Sequence, residues 1–291
     1  MKICSRVIII GCGQIGASIG LNLVARKLAD RVIGIDTNKE NLSQALKRRA
    51  VDKIFPLKKA PDLFKLKLSE QDLMILSTPV LTIQKYLEIL PRGPLLMDVG
   101  STKRHSVAIA KKRRLRFVGA HPMAGTEKEG AEAANKDLFR GHVCLITPVN
   151  GVKRSDEKTI RQIWEKMGSR VFSLDSALHD TLLAFISHLP HLVAFSLMEV
   201  AGRKIPLKEI ARYLGGGFRD TTRIAASSAE MWADIFLDNP KILEATDRFR
   251  ETLSRFQSMI RKKKRGGLRK RLQEISWMRK KLDVSANRST R

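Results

Sequence analysis

Residues 7–20 read VIIIGCGQIGASIG, and this stretch decides the fold. An apolar run of strand length, residues 7–10, passes directly into Gly11, Gly13 and Gly16, which have the spacing GxGxxG. Apolar residues at helical spacing follow. Glycines in this arrangement permit a tight turn, let a pyrophosphate approach the backbone, and allow the helix to pack closely on the strand. The stretch therefore predicts a strand–turn–helix unit with a dinucleotide at the helix N-terminus.

A second buried strand, residues 31–36 (RVIGID), ends in Asp36. An acidic residue is expected about 20 residues beyond such a glycine turn. A carboxylate at this position accepts hydrogen bonds from ribose hydroxyls and repels a 2′-phosphate. Asp36 therefore favours NAD over NADP, although a helix N-cap or turn role stays open for it.

Further along the chain, short apolar strands alternate with helical segments as far as residue 175. This alternation predicts an α/β fold with a Rossmann-type, doubly wound, mostly parallel sheet. Beyond that point every apolar segment has helical period. We therefore expect a dinucleotide-binding domain over 1–175 and an all-α domain over 176–291. Two glycines at 266–267 interrupt the last helical pattern and predict a separate helix over 268–282.

Three successive predicted strands end in polar residues. The carboxyl ends of strands in such sheets line the ligand crevice, so these residues should share one edge with the glycine turn. His121 ends the third of these strands, in the sequence GAHP. Besides the three glycines and Asp36, the residues expected to contact the cofactor are Gln14, Ile15, Ser77, Thr78, Pro79 and Ser101.

The net charge of +26 comes from 55 basic and 29 acidic side chains. Basic residues cluster at 111–116 and in a tail over 261–291, which holds 13 basic and 2 acidic side chains. Such a tail can bind nucleic acid, steer anionic substrates, or simply be solvated. Apart from Trp277 the clusters lack aromatic residues, and no recognition motif accompanies them, so nucleic-acid binding is the less favoured interpretation.

The three cysteines, Cys4, Cys12 and Cys144, have no metal-ligand spacing, so no metal site is expected. An odd, scattered set of cysteines is typical of a reducing compartment. The most apolar long stretch, residues 181–201, contains two histidines and a proline, and we expect these to break it as a membrane span. The N-terminal apolar run passes into the glycine turn without a cleavage site. We therefore expect a cytoplasmic protein that does not bind a membrane.

Five motifs follow one another along the chain: VIIIGCGQIGASIG, DVGSTK (98–103), GAHPMAGTEKEG (119–130), SHLPH (187–191) and GGGFRDTTRIA (215–225). Together they resemble the prephenate dehydrogenase family of tyrosine biosynthesis, including its arogenate-using members. The resemblance runs from residue 5 to residue 255. It implies an NAD-dependent oxidative decarboxylation of prephenate to 4-hydroxyphenylpyruvate, and a homodimer built by the helical domain. Arogenate as the substrate stays open, because no residue here discriminates the two.

The resemblance also implies roles for individual residues. His121 takes the proton of the substrate hydroxyl, a task that suits imidazole because its pKa lies near working pH. Ser101 bonds this histidine and orients the nicotinamide, and it can also cap the helix that follows. Arg223 clamps a substrate carboxylate through a bidentate fork. The other implied substrate contacts are His191, Gly216, Glu127 and Trp232; for Glu127 a solvated charge, and for Trp232 a packing role, stay open.

A general β-hydroxyacid dehydrogenase also joins a dinucleotide domain to helices. The usual catalytic lysine motif of that group is not evident in the sequence, and the HPMAG and SHLPH motifs would be unexplained. The prephenate dehydrogenase family therefore remains the better match.

Overall fold

The computed structural model describes residues 2–58, 63, 66–126 and 128–288, with side chains as far as 282. Within these residues eight strands form one sheet. In chain order they are β1 (Cys4–Ile10), β2 (Ala29–Asp36), β3 (Lys53–Pro56), β4 (Asp72–Leu76), β5 (Leu95–Asp98), β6 (Arg116–Pro122), β7 (Val143–Pro148) and β8 (Arg170–Ser173). Across the sheet the order is β3-β2-β1-β4-β5-β6-β7-β8. Only the β6–β7 pair is antiparallel, which confirms the predicted mostly parallel sheet.

Helices cover both faces of this sheet. They are α1 (Gln14–Ala25), α2 (Lys39–Lys47), α3 (Val80–Ile89), α4 (Arg104–Arg113) and α5 (Arg154–Lys166). Successive side chains of a strand point to opposite faces. Val7 and Ile9 of β1 accordingly share a core with α1, α2 and α5, whereas Ile8 and Ile10 share the other core with α3 and α4. The doubly wound fold is therefore confirmed.

The strand order reverses beside β1, which lies between β2 and β4. The ends of β1 and β4 meet at this point. Gly11 has a φ of +93°, and a side chain there would collide with the carbonyl group of Ser77 after β4. A Cβ on Gly16 would strike the carbonyl oxygen of Gly11. The glycine spacing thus lets the turn, the helix and the next strand end meet at the edge where doubly wound sheets bind ligands.

A long helical stretch follows the sheet. It comprises α6 (Ser176–Leu183), a π-helical turn (Ala184–His188) and α7 (Leu189–Lys204), without interruption at Pro190. Pro190 is the second residue of α7 and follows directly on the π-helical turn, where the regular i→i−4 hydrogen-bond pattern is already changed. The two histidines and the proline therefore do not interrupt the helix. By length and composition alone it could cross a membrane, and only 22% of its most apolar window is buried inside the chain. Helices of soluble proteins pass the same test, so this property alone decides nothing.

The remaining helices are α8 (Leu207–Arg212), α9 (Gly216–Thr222), α10 (Ala229–Asp238), α11 (Lys241–Arg261) and α12 (Arg265–Arg288). By its internal contacts the chain divides into residues 1–241 and 242–291. The predicted domain boundary at residue 175 stays a prediction.

The helix interruption predicted at glycines 266–267 occurs a few residues earlier along the chain. Both glycines are inside α12, and the break is at Lys263, whose φ of +49° ends the preceding helix. A left-handed residue is a common helix terminator, although glycine is the usual occupant.

Candidate active site

A cavity of about 550 Å³ opens at the carboxyl edge of the sheet. Its walls come from the glycine turn, the ends of β4, β5 and β6, the helix α7, and the segment from 223 to 235. The structure brings together in these walls eleven of the residues expected from the sequence: Gly13, Gln14, Ile15, Ser77, Thr78, Pro79, Ser101, His121, His191, Arg223 and Trp232. Residues that are more than 200 positions apart along the chain therefore face one cavity.

Other predicted residues lie outside this wall. Gly11 and Gly16 shape the turn behind it. Asp36 ends β2, where its carboxylate accepts hydrogen bonds from the backbone N–H groups of Cys12 (2.7 Å) and Asn38 (2.8 Å). Gly216 begins α9 and is exposed away from the cavity wall. Glu127 lies outside the described residues.

One end of the cavity has features that suit a dinucleotide. Gly13 is the N-cap of α1 and provides no side-chain cap, so the first N–H groups of this helix face the opening. No atom lies within 4 Å of the place where a Cβ of Gly13 would be, which leaves room for a phosphate group. The buried hydroxyl of Thr78, in the same wall, has no hydrogen-bond partner among the described residues. Free donors at a helix N-terminus attract anions, so these residues fit the pyrophosphate of NAD.

Gln14 ties this turn to the loop after β6. Its Nε2 donates to Thr126 Oγ1 at 2.5 Å, and the N–H of Thr126 donates back to Gln14 Oε1 at 3.1 Å. Both residues line the cavity.

His121 lies at the end of β6 and is 8% exposed. Its Nδ1 is 3.0 Å from Nε2 of His179 on α6, and the two rings are tilted by 55°. Burial lowers the pKa of His121 well below its ordinary value, and the neighbouring His179, Lys103 and His188 lower it further. The imidazole is therefore neutral near pH 7 and can accept a proton.

His179 and Asp180 were not singled out from the sequence. Nδ1 of His179 is 2.8 Å from Oδ1 of Asp180, and His179 is fully buried. The Asp180 carboxylate also accepts the backbone N–H groups of Lys103 (2.8 Å) and Arg104 (3.0 Å) at the start of α4. The only sequence signal was an adjacent His–Asp pair in an apolar helix, where a buried charge requires partners.

Ser101 does not cap α4, because Lys103 occupies the N-cap position and the Asp180 carboxylate binds the first N–H groups. Lys103 itself is fully buried, with Nζ 2.5 Å from Oδ2 of Asp98. Burial raises the pKa of Asp98, and the charge of Lys103 opposes this shift. Oδ1 of Asp98 accepts the N–H of Ala120, directly before His121, at 3.3 Å. The pair therefore supports the strand end that holds His121.

Another part of the cavity wall is aromatic and basic. His191 stacks on Trp232 with ring centroids 3.7 Å apart, and its Nδ1 donates to the carbonyl of Ser187 at 2.9 Å. His188 contacts the same indole edge-to-face from the buried side. Burial lowers the pKa of His191, the hydrogen bond to Ser187 opposes this shift, and the nearby Arg223 lowers the pKa further. Arg223 is exposed in this part of the wall, where its charge can meet a carboxylate from solvent.

Two family profiles cover most of the chain. The nucleotide-binding domain of prephenate dehydrogenase matches residues 19–173, and the dimerization domain of prephenate dehydrogenase matches residues 175–274. Prephenate dehydrogenase of Bacillus subtilis (strain 168) is 33% identical over 264 residues, which are 87% of this chain and 70% of that protein.

Two solved structures extend the likeness to three dimensions. Prephenate dehydrogenase from A. aeolicus, in complex with hydroxyphenyl propionate and NAD+, has a TM-score of 0.84 and 31% identity, covering 96% of this chain and 98% of that one. Arogenate dehydrogenase from Synechocystis has a TM-score of 0.75 and 27% identity, covering 95% of this chain and 99% of that one. The family predicted from the motifs is thereby confirmed: the chain belongs to the prephenate dehydrogenase family.

Proposed function

We propose that this protein is a prephenate dehydrogenase that uses NAD to convert prephenate to 4-hydroxyphenylpyruvate and carbon dioxide. One observation carries the proposal. A buried, neutral His121 lines a single cavity whose walls also contain residues of the glycine turn and Arg223. This arrangement suits a substrate that donates a hydride, transfers a proton to a base and carries carboxylates.

NAD as the cofactor is supported by the bare N-terminus of α1, the nucleotide-binding family profile and the NAD+ complex of the A. aeolicus relative. When bound, NAD supplies the hydride acceptor. The Gly13 turn and the α1 N–H groups hold the pyrophosphate. Asp36 is anchored by Cys12 and Asn38, and its carboxylate accepts the ribose hydroxyls and disfavours a 2′-phosphate. Ser77, Thr78 and Pro79 line the path to the nicotinamide.

The chemistry requires one proton acceptor and precise alignment. His121 accepts the hydroxyl proton of the substrate while the carbinol hydrogen leaves as hydride. The electron pair of the bond to the ring carboxylate moves into the ring, carbon dioxide departs, and the ring becomes aromatic. His121 then returns the proton to the ring oxygen, giving a phenol. Ser101, in the same wall, orients the hydroxyl and the imidazole.

The remaining residues recognise the substrate. Arg223 binds a carboxylate through its guanidinium fork. His191 and Trp232, stacked on each other, form the wall against which the ring packs. For Glu127 and Gly216 the role of substrate contact stays a prediction from the sequence.

We propose further that the chain forms a homodimer through its helical part. The dimerization-domain profile supports this, and its start at residue 175 supports the predicted boundary there. The continuous helix from Ser176 to Lys204 exposes Ile186 (68%) and Val200 (68%) in the single chain. A second copy of the chain would bury these side chains. The apolar helix would then need no membrane, as a cytoplasmic enzyme requires.

Arogenate is the second candidate substrate, favoured by the likeness to the Synechocystis arogenate dehydrogenase.

Purified protein is mixed with prephenate or arogenate and NAD or NADP, and nicotinamide reduction is followed in the near ultraviolet. The proposal expects reduction with prephenate and NAD, lost by about 10²-fold or more in His121→Asn. Reduction with arogenate but not with prephenate would change the proposed substrate and leave the proposed mechanism as it is. No reduction in any arm by folded protein that binds NAD would refute the proposal.

A further inference from the structure

We propose that His179 and Asp180 are positioning residues that hold His121 in the tautomer whose Nε2 carries the lone pair, so that Nε2 is the proton acceptor in the cavity. The inference rests on the proposed function for its catalytic consequence. The tautomer itself can be observed without any substrate.

The partners of Asp180 determine which way the protons in these hydrogen bonds point. Its Oδ1 accepts the N–H of Lys103 at 2.8 Å, and its Oδ2 accepts the N–H of Arg104 at 3.0 Å. Both partners are backbone donors at the start of a ten-residue helix, whose dipole favours a negative charge. Burial raises the pKa of Asp180, but the hydrogen bonds from His179 and from the two backbone donors oppose this shift, and the pKa lies below its ordinary value. Asp180 is therefore an ionised carboxylate that only accepts hydrogen bonds.

His179 is the next member. Its Nδ1 lies 2.8 Å from Oδ1 of Asp180, so this nitrogen must carry the proton. Burial lowers the pKa of His179, and the hydrogen bond to Asp180 only partly opposes this shift. A neutral imidazole with a protonated Nδ1 has a bare Nε2, which can only accept.

His121 completes the chain. Its Nδ1 is 3.0 Å from the bare Nε2 of His179, so Nδ1 of His121 must donate. The neutral ring then has its lone pair on Nε2. Because His121 lines the cavity and its Nδ1 is occupied, Nε2 is the nitrogen left for a substrate.

His179 does not line the cavity. It is fully buried, and both its ring nitrogens are occupied within the chain. The other titratable groups that act on the two histidines are Lys103, Asp98 and His188, with Cys144 on the adjacent strand. Lys103 is neutralised by Asp98. When His121 takes up the substrate proton, the charge of Asp180 stabilises the imidazolium through His179, as in other histidine–carboxylate arrangements.

Three variants test this in the full-length protein. His179→Phe keeps a buried ring but removes the acceptor, His179→Gln can present an amide oxygen where Nε2 was, and His105→Asn is the matched control. His105 pairs with Asp238 at 2.7 Å, which is the same type of contact but does not reach His121. We expect His179→Phe to lower kcat by about 10²-fold or more, with KM little changed. His179→Gln should recover part of kcat, and His105→Asn should resemble the wild type.

The second readout is nitrogen NMR of the substrate-free protein, with His121 assigned by comparison with His121→Asn. The inference expects a protonated Nδ1 and a bare Nε2 on His121 in the wild type, and a mixture of tautomers in folded His179→Phe. A protonated Nε2 in the wild type, or an unchanged kcat in His179→Phe, overturns it. If the wild type reduces no NAD, the proposed function fails, whereas the NMR result still decides the tautomer.

Discussion

Lys103 and Asp98 form a fully buried ion pair beneath the strand end that holds His121, with Nζ 2.5 Å from Oδ2. The pair joins the N-terminus of α4 to β5 and, through the N–H of Ala120, to β6. Charges are almost never fully buried unless they are paired. Its position next to the proposed proton acceptor makes its integrity a condition for the site.

Removing one member of this pair should cost far more than removing both charges. Lys103→Met leaves an uncompensated buried carboxylate, so we expect the free energy of unfolding to fall by about 3–5 kcal/mol. The double variant Lys103→Met/Asp98→Asn should recover a substantial part. Urea denaturation of the three proteins measures this, and a double variant less stable than Lys103→Met would contradict the expectation.

The substitutions Gly13→Ala and Gly16→Ala should have different effects on stability and on NAD binding. A Cβ on Gly13 enters open space, so stability should change by less than about 0.5 kcal/mol. The Kd for NAD should nevertheless rise by about tenfold or more, because the methyl group lies in the path of the pyrophosphate. Gly16→Ala, the matched comparison, strikes the Gly11 carbonyl and should destabilise the fold by about 1–3 kcal/mol. Calorimetry measures the Kd for NAD and denaturation measures the stability of each variant. Tight NAD binding by Gly13→Ala would be evidence against this site.

Arg223 should act through the shape of its guanidinium as well as its charge. Arg223→Lys keeps the charge and loses the bidentate fork, so the KM for prephenate should rise by about 10- to 100-fold with a smaller change in kcat. Arg219→Lys is the control, since Arg219 is exposed on α9 and does not line the cavity. Steady-state kinetics at saturating NAD provide the measurement. Equal effects of the two variants would remove Arg223 from the binding site.

Acid should destabilise the protein through its buried histidines. Burial lowers the pKa of His121 and His179, and it lowers that of His188 to about 4. Unfolded histidines have a pKa of about 6.5, so below that pH the unfolded state binds more protons than the folded state. Stability is thus present above about pH 6.5 and is lost as pH falls, by up to about 1.4 kcal/mol per pH unit for each histidine.

Urea denaturation between about pH 7.5 and about pH 5.5 checks this sign. His188→Asn removes one titrating group and should give a shallower pH dependence. A wild-type stability that stays constant or rises toward pH 5.5 would be incompatible with three neutral buried histidines.

Strand β3 and the helix break near Lys263 show which features of the fold local sequence patterns do not predict. β3 (Lys53–Pro56) has only two apolar residues in four and lies at the edge of the sheet, so its sequence lacks the continuous apolar run of a buried strand. Glycines 266–267 look like a helix interruption, yet the chain turns at Lys263. Glycine lowers helix propensity without forbidding a helix, so packing can override it.

The sequence by itself determined the glycine turn, the alternation of strands and helices, the family and eleven residues of the cavity wall. These features depend on periodicity and on motifs that are local in the chain. Only the tertiary structure revealed the chain from Asp180 through His179 to His121 and the buried Lys103–Asp98 pair. His121 and His179 are 58 residues apart, and Asp180 lies 77 residues from Lys103. The direction of a hydrogen bond between distant segments is decided by how α6 packs against α4 and β6, and no local pattern records that packing.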